Sequence, residues 1–193
     1  GKYSYQEGDY PKFNLSGVAE CGEYLLGDQT IWWVFNDAGD IHSETESPFN
    51  IGVEIQAQAF GFNTNDEINN MTFYRYKIIN RSSLSLNDTY FGSWIDPDLG
   101  NYIDDYVGCD VQRGFGYCYN GDADDDGALG YGLNPPAVGV DFFEGPLADP
   151  GDGKDNNRNG VIDEPGEQII MSKFVYYDND FGTTGNPSLA NHY

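Results

Sequence analysis

The chain has 193 residues, with 32 Asp and Glu against 9 Lys and Arg and a formal net charge of −23, a balance that argues against nucleic acid and anionic membrane surfaces as partners. Its 15 Tyr, 12 Phe and 3 Trp supply the core material that acidic disordered chains lack, and 25 Gly with thinly scattered helix formers point to strands and structured loops. No apolar run approaches the roughly 18 residues of a membrane span, so no membrane insertion is expected.

Taken in order, Gly1-Lys-Tyr3-Ser-Tyr-Gln-Glu7 reads as the back half of a calcium loop, with Glu7 at position 12 and the first five positions missing upstream. Residues 1–10 are therefore expected to be the tail end of a preceding loop, in a chain cut from a larger protein. Gln29–Asn36 is apolar on both faces and is expected as a central strand. In Ile51–Ala59 the apolar residues Ile51, Val53, Ile55, Ala57 and Ala59 alternate with glycine and polar ones, a strand with one buried face and one wet face. Met71–Asn80 and Asp88–Ile95 read as adjacent strands whose short polar connection predicts an antiparallel pair. Residues 99–135 are rich in Gly, Asp and Tyr without periodicity and are expected as one long loop, which in a compact domain is functional or pinned. Val138–Phe143 and Gln168–Tyr177 are predicted strands on either side of a second long loop, 144–167. No segment has a helical period. The sum is a single all-β domain over 1–193, an antiparallel β-sandwich with long acidic calcium-binding loops gathered at its ends.

The stretch from Asp152 to Glu167 carries the clearest chemistry. Counted from Asp155, side-chain oxygens fall at positions 1, 3, 5 and 9 (Asp155, Asn157, Asn159, Asp163), with Gly160 at position 6 and Ile162 at position 8. Calcium takes six to eight oxygen ligands, and a curled loop points alternate side chains inward, with a backbone carbonyl, here that of Val161, at position 7. The departure is at position 12, where Gly166 stands and Glu167 follows one residue late. A second run, Asp122-Ala-Asp124-Asp-Asp126-Gly127, repeats the D-x-D-x-D-G spacing, and Asp96, Asp98, Asp104 and Asp105 form a third cluster. Three like-charged clusters in one fold repel strongly without cations, so Ca²⁺ is the expected cofactor.

Catalytic signals are thin. The two histidines, His42 and His192, stand in no H-E-x-x-H pattern, no G-x-S-x-G occurs, and Cys and His lack zinc spacing. No catalytic residue is assigned. Abundant carboxylates make any glycosidase-like pair uninformative. Tyr102, Tyr106, Tyr117 and Tyr119 are suited either to shielding the metal loops or to stacking on sugar rings. Of three cysteines, Cys109 and Cys118 are spaced for a small disulfide-closed loop, leaving Cys21 free or joined elsewhere.

Long stretches carry a resemblance: Gly27-Asp-Gln-Thr-Ile-Trp-Trp-Val-Phe-Asn-Asp37, Asn70-Met-Thr-Phe-Tyr-Arg-Tyr-Lys-Ile-Ile-Asn80, Tyr90-Phe-Gly-Ser-Trp-Ile-Asp-Pro-Asp-Leu-Gly-Asn101, Asp105-Tyr-Val-Gly-Cys-Asp110, Gly116-Tyr-Cys-Tyr-Asn-Gly-Asp122 and Asn134-Pro-Pro-Ala-Val-Gly-Val-Asp-Phe-Phe143. Together they resemble a segment of large secreted proteins of Bacteroidota exported by the type IX route. The resemblance implies an extracellular or cell-surface setting with further sequence on both sides, and brings no activity with it. The expectation is a calcium-stabilised structural or adhesive domain of a surface protein or fibre, partnered by neighbouring domains or copies of itself. The alternatives are a glycan-binding module and a secreted carbohydrate-active enzyme.

Overall fold

A computed structural model describes residues 13–14, 23–39 and 49–176. The chain divides into two compact units, Gly1–Thr89 and Tyr90–Tyr193. Each contains one three-stranded antiparallel sheet. The helical turns among the described residues are two short 3₁₀ segments, Glu67–Asn70 and Tyr102–Asp104, so the fold is all-β, as the composition predicts.

In the first unit, β1 (Phe13–Asn14) and β2 (Glu23–Tyr24) form a brief parallel pair. The main sheet consists of β3 (Gln29–Asn36), β4 (Val53–Gly61) and β5 (Thr72–Asn80), in the order β3-β4-β5. The alternation of apolar residues fixes the register: Trp33, Ala57 and Tyr76 lie in line across the sheet, as do Ile31, Ala59 and Tyr74. The centre is β4 and not β3, which lies at an edge of this sheet. The small side chains of Ala57 and Ala59 let the bulkier residues of the flanking strands close over them, and Ala57 is wholly buried. Gln58, on the face expected to be wet, is buried too. It lies between Trp32 and Arg75 in the register, and its amide donates to Thr30 Oγ1 at 3.0 Å.

Polar side chains fasten the ends of this sheet. The Asp37 carboxylate accepts from three successive amides, those of Ile51, Gly52 (3.0 Å) and Val53 (3.0 Å), tying the end of β3 to the start of β4. Arg81, just past β5, forks onto Glu54 of β4, with Nη2 to Oε1 at 3.0 Å and Nε to Oε2 at 3.3 Å. The strand expected over Asp88–Ile95 does not form. Asp88 has φ +49, which breaks an extended run at its first residue, and the segment joins no ladder.

In the second unit the long loop expected over 99–135 is partly ordered into strands. A hairpin of β6 (Asp105–Asp110) and β7 (Phe115–Asn120) is joined on the far side of β7 by β10 (Ala137–Asp141). Two-residue strands β8 (Asp124–Asp125) and β9 (Gly132–Leu133) make a small separate hairpin. Glycines disrupt the strand pattern in the sequence, but aromatic rings lie over them. A Cβ added at Gly108 would meet the Tyr117 ring at 2.3 Å, and one at Gly139 would meet Phe115 at 2.6 Å. Of the predicted strand Gln168–Tyr177 the structure describes 168–176, where the pairing is an isolated bridge between Leu147 and Gln168. Hydrogen bonds from Ala148 N to Glu167 O (2.9 Å) and Ile169 N to Pro146 O (2.8 Å) complete a stem that closes the loop between them.

The expected Cys109–Cys118 bridge is not formed, and both thiols are free. Cys109 lies opposite Gly116 and Cys118 opposite Val107, so the two cysteines are diagonal neighbours on one face. Diagonal positions are about 7–8 Å apart, beyond the usual Cα separation of a disulfide.

Candidate metal centres

The loop on that stem orders itself around its acidic and carboxamide side chains. Both oxygens of Asp155 accept backbone amides, from Asn159 (3.1 Å) and Gly160 (2.8 Å). Asn157 Oδ1 accepts Asn159 N at 3.0 Å, and Asn159 Oδ1 accepts Val161 N at 2.8 Å. The result is a ladder of Asx turns. It curls the chain so that positions 1, 3 and 5 gather on one side, and Gly160, at φ +93, takes the backbone through the bend.

The carboxylate that enters this curl is Glu164, three residues before Glu167. Its Oε1 accepts the side-chain amides of Asn157 (2.7 Å) and Asn159, while Oε2 is buried without a hydrogen-bond partner. Glu167 is buried at the stem, where Oε1 receives the amides of Asn156 and Asn157. Asp163 turns away at φ +58 and accepts Gly153 N at 3.2 Å. Thus Asp155, Asn157 and Asn159 come together as the spacing predicts. Val161 follows them with an exposed side chain, and Asp163 and Glu167 hold the loop's outline. Hydrogen bonds from Asn157, and then Asn159, keep the Glu164 carboxyl below its ordinary range. Asp152 is lowered in the same way by the Asn156 side chain.

The Asp122–Gly127 run takes a different local form from the expected curled loop. Asp122, Asp124 and Asp126 are all exposed, and the intervening Asp125 is the buried member, at 2% accessibility. The reason is local: Asp124 and Asp125 pair with Leu133 and Gly132 as a strand, and a strand sends neighbouring side chains to opposite faces. Asp125 accepts the amides of Asn101 (3.1 Å) and Tyr131 (2.7 Å), one on each oxygen. The third cluster divides. Asp96 and Asp98 stay exposed, whereas Asp104 and Asp105 are half-buried.

Asp104, Asp105 and Asp125 form an electrostatic group that the sequence spacing does not reveal. Burial raises the Asp105 carboxyl above its ordinary range, and the charges of Asp104 and Asp125 raise it further. The Leu99 amide and the Cys118 thiol lie close enough to favour the charged form, but neither reaches hydrogen-bonding geometry, and both Asp105 oxygens stay buried and unpartnered. Asp104 Oδ2 receives the Asn120 side chain at 3.3 Å, while Oδ1 is unpartnered as well. Burial and the nearby Asp105 charge likewise push the Cys118 thiol up, so it is a poor nucleophile.

Among the described residues, no three His, Cys, Asp or Glu side chains stand together in metal-ligating geometry. The donor set of the Asp155 loop is mixed instead, with carboxamide and carboxylate oxygens. All of these are hard oxygen donors, which fit calcium and not zinc. Glu7 lies outside the described residues. Compared with known proteins, the chain matches no family model, no curated sequence and no solved structure.

Proposed function

We propose that the chain is a calcium-stabilised structural or adhesive segment of an extracellular bacterial surface protein. One observation carries this reading: four buried carboxylate oxygens, on Asp104, Asp105 and Glu164, have no hydrogen-bond partner. A carboxylate oxygen withdrawn from water without a partner is unfavourable unless a cation or water meets it. Calcium is the cation that suits irregular, oxygen-only, loop-borne donors. Asp155, Asn157, Asn159 and Glu164, with the Val161 carbonyl, would hold it in the loop, and the unpartnered oxygens of Asp104 and Asp105 are a second place where a cation would be met.

Sites built on loops with several neutral ligands belong to the weak range of calcium affinity, about 10⁻⁴–10⁻³ M, that extracellular modules use. The resemblance to secreted surface proteins supports an extracellular setting. The partners in this reading are neighbouring domains or further copies of the chain. In the first unit Ile31, Phe35, Tyr74 and Tyr76 share one sheet face and are 45–58% exposed. A second sheet laid over this face, as in a sandwich, is the arrangement that would bury it.

The test is assembly. Purified protein is exchanged into calcium or into chelator and followed by light scattering and negative-stain imaging. Filaments or large ordered assemblies with calcium, dispersing on chelation, are the expected outcome. A protein that stays monomeric at every calcium concentration contradicts the structural role.

A further inference from the structure

The second unit contains a cleft of about 410 Å³ lined by Asp98, Gly100, Tyr102, Leu129 and Tyr131. It lies within the size range of small-ligand sites. Its two walls are tied together by one buried group. Asp125 accepts the amide of Asn101, beside Gly100 and Tyr102 on one wall, and the amide of Tyr131 on the other. Gly100 makes the approach possible: at φ +66, a Cβ there would lie 1.9 Å from Asp125 Oδ2 and 2.8 Å from the Tyr131 ring. The spacing of the two walls is therefore set by the Asp125 carboxylate.

We propose that this cleft binds a neutral saccharide. Tyr102 and Tyr131 are 51% and 60% exposed, which leaves their rings available to the C–H face of a pyranose and their hydroxyls to its polar edge. Exposed Asp98 supplies a carboxylate that accepts from sugar hydroxyls, and Leu129 adds an apolar edge. The net charge of −23 opposes acidic glycans such as uronates. A quaternary ammonium prefers an enclosing aromatic cage, whereas these walls are open and suit a flat ring lying across them. The inference stands on the cleft and does not depend on the calcium reading.

The experiment is titration calorimetry, in calcium-containing buffer, of the whole chain against neutral gluco-, manno-, xylo- and galacto-oligosaccharides, with polygalacturonate fragments and tetramethylammonium as controls. At least one neutral series is expected to bind. Tyr102→Ala and Tyr131→Ala should each weaken it by about tenfold or more, and Asp98→Asn by a smaller factor. Tyr90→Ala, an 83% exposed tyrosine outside the cleft lining, should leave it unchanged. Near-UV circular dichroism confirms that each variant is folded. Lack of binding by every neutral series, binding that survives both tyrosine variants, or binding confined to tetramethylammonium or the acidic fragments would overturn the proposal.

Discussion

Glu54 in the first unit and Asp105 in the second are both strand carboxylates withdrawn from solvent, but their neighbours differ. Burial pushes Glu54 up, yet the forked Arg81 and the Gln56 amide outweigh it and leave the carboxyl below its ordinary range. Asp105 faces Asp104 and Asp125, and its carboxyl is raised. The difference reflects supply: Tyr90–Tyr193 holds nineteen of the 32 acidic residues but four of the nine basic ones. The first unit satisfies its buried charge from within the chain. The second leaves carboxylate oxygens of Asp104, Asp105 and Glu164 without a hydrogen-bond partner.

The sharpest way to break the comparison is to give the first unit the second unit's problem. Ala57→Asp puts a carboxylate at the wholly buried centre of β4, between Trp33 and Tyr76. An uncompensated buried charge costs about 3–5 kcal/mol. Urea melts followed by tryptophan fluorescence should show the transition of the first unit shifted by this amount. Calcium should not restore it, because no oxygen-rich loop surrounds the site.

A second change presses on the other unit. Gly100→Ala drives a Cβ into Asp125 and forces φ +66 on an L-residue. It should cost about 1–3 kcal/mol, the range for local backbone strain. Gly39→Ala, where an added Cβ meets nothing within 4 Å, serves as its control and should stay within about 0.5 kcal/mol of the parent. Thermal melts read both.

These changes also mark where the sequence was legible. The β3-β4-β5 sheet could be read because alternation over eight or nine residues leaves one register, and its strands were placed to within two residues at their starts. What the pattern could not show was which strand is central, since bulky residues on β3 and small ones on β4 swap the intuitive burial order. The β6-β7 hairpin was missed because Gly108, Gly114 and Gly116 interrupt any period. Their compensation, aromatic rings from neighbouring strands, is a tertiary fact. In the acidic loops the spacing found Asp155, Asn157 and Asn159. The spacing did not single out Glu164, which receives the Asn157 and Asn159 side chains, because the chain turns at Pro165 and Gly166 and leaves Glu167 on the amides of Asn156 and Asn157. Asp125 was hidden by its own run: counting alternate aspartates assumes a curled loop, and the chain there is a strand.

A smaller effect sharpens the first unit's side of the comparison. Burial raises the Asp37 carboxyl, but the amides of Gly52, Ile51 and Val53 outweigh it and hold the pKa below the ordinary 3.8. A carboxyl lowered in the folded state adds stability that is present above the unfolded pKa and lost as pH falls through the folded one. The stability of the parent should therefore decline below about pH 4 more steeply than that of Asp37→Asn. Because the group is largely exposed to solvent, the difference should be under about 1 kcal/mol. Urea midpoints measured at several acidic pH values check it.

The central claim is that the acidic loops of the second unit are completed by calcium, and its most direct measurement is the melting temperature of the parent and of Asp155→Ala, each with calcium, magnesium or chelator. At about 100 times its dissociation constant a ligand adds roughly 2.7 kcal/mol, which for a chain of this size raises the melting temperature by about 5–10 °C. Calcium should produce that rise in the parent and magnesium less of it, since magnesium requires a rigid octahedron and keeps its waters. Asp155→Ala should lose most of the response, while Asp88→Ala, in the first unit, keeps it. A parent that melts at the same temperature in calcium and in chelator contradicts the account, and leaves the Asp155 loop as a turn held by its own Asx bonds.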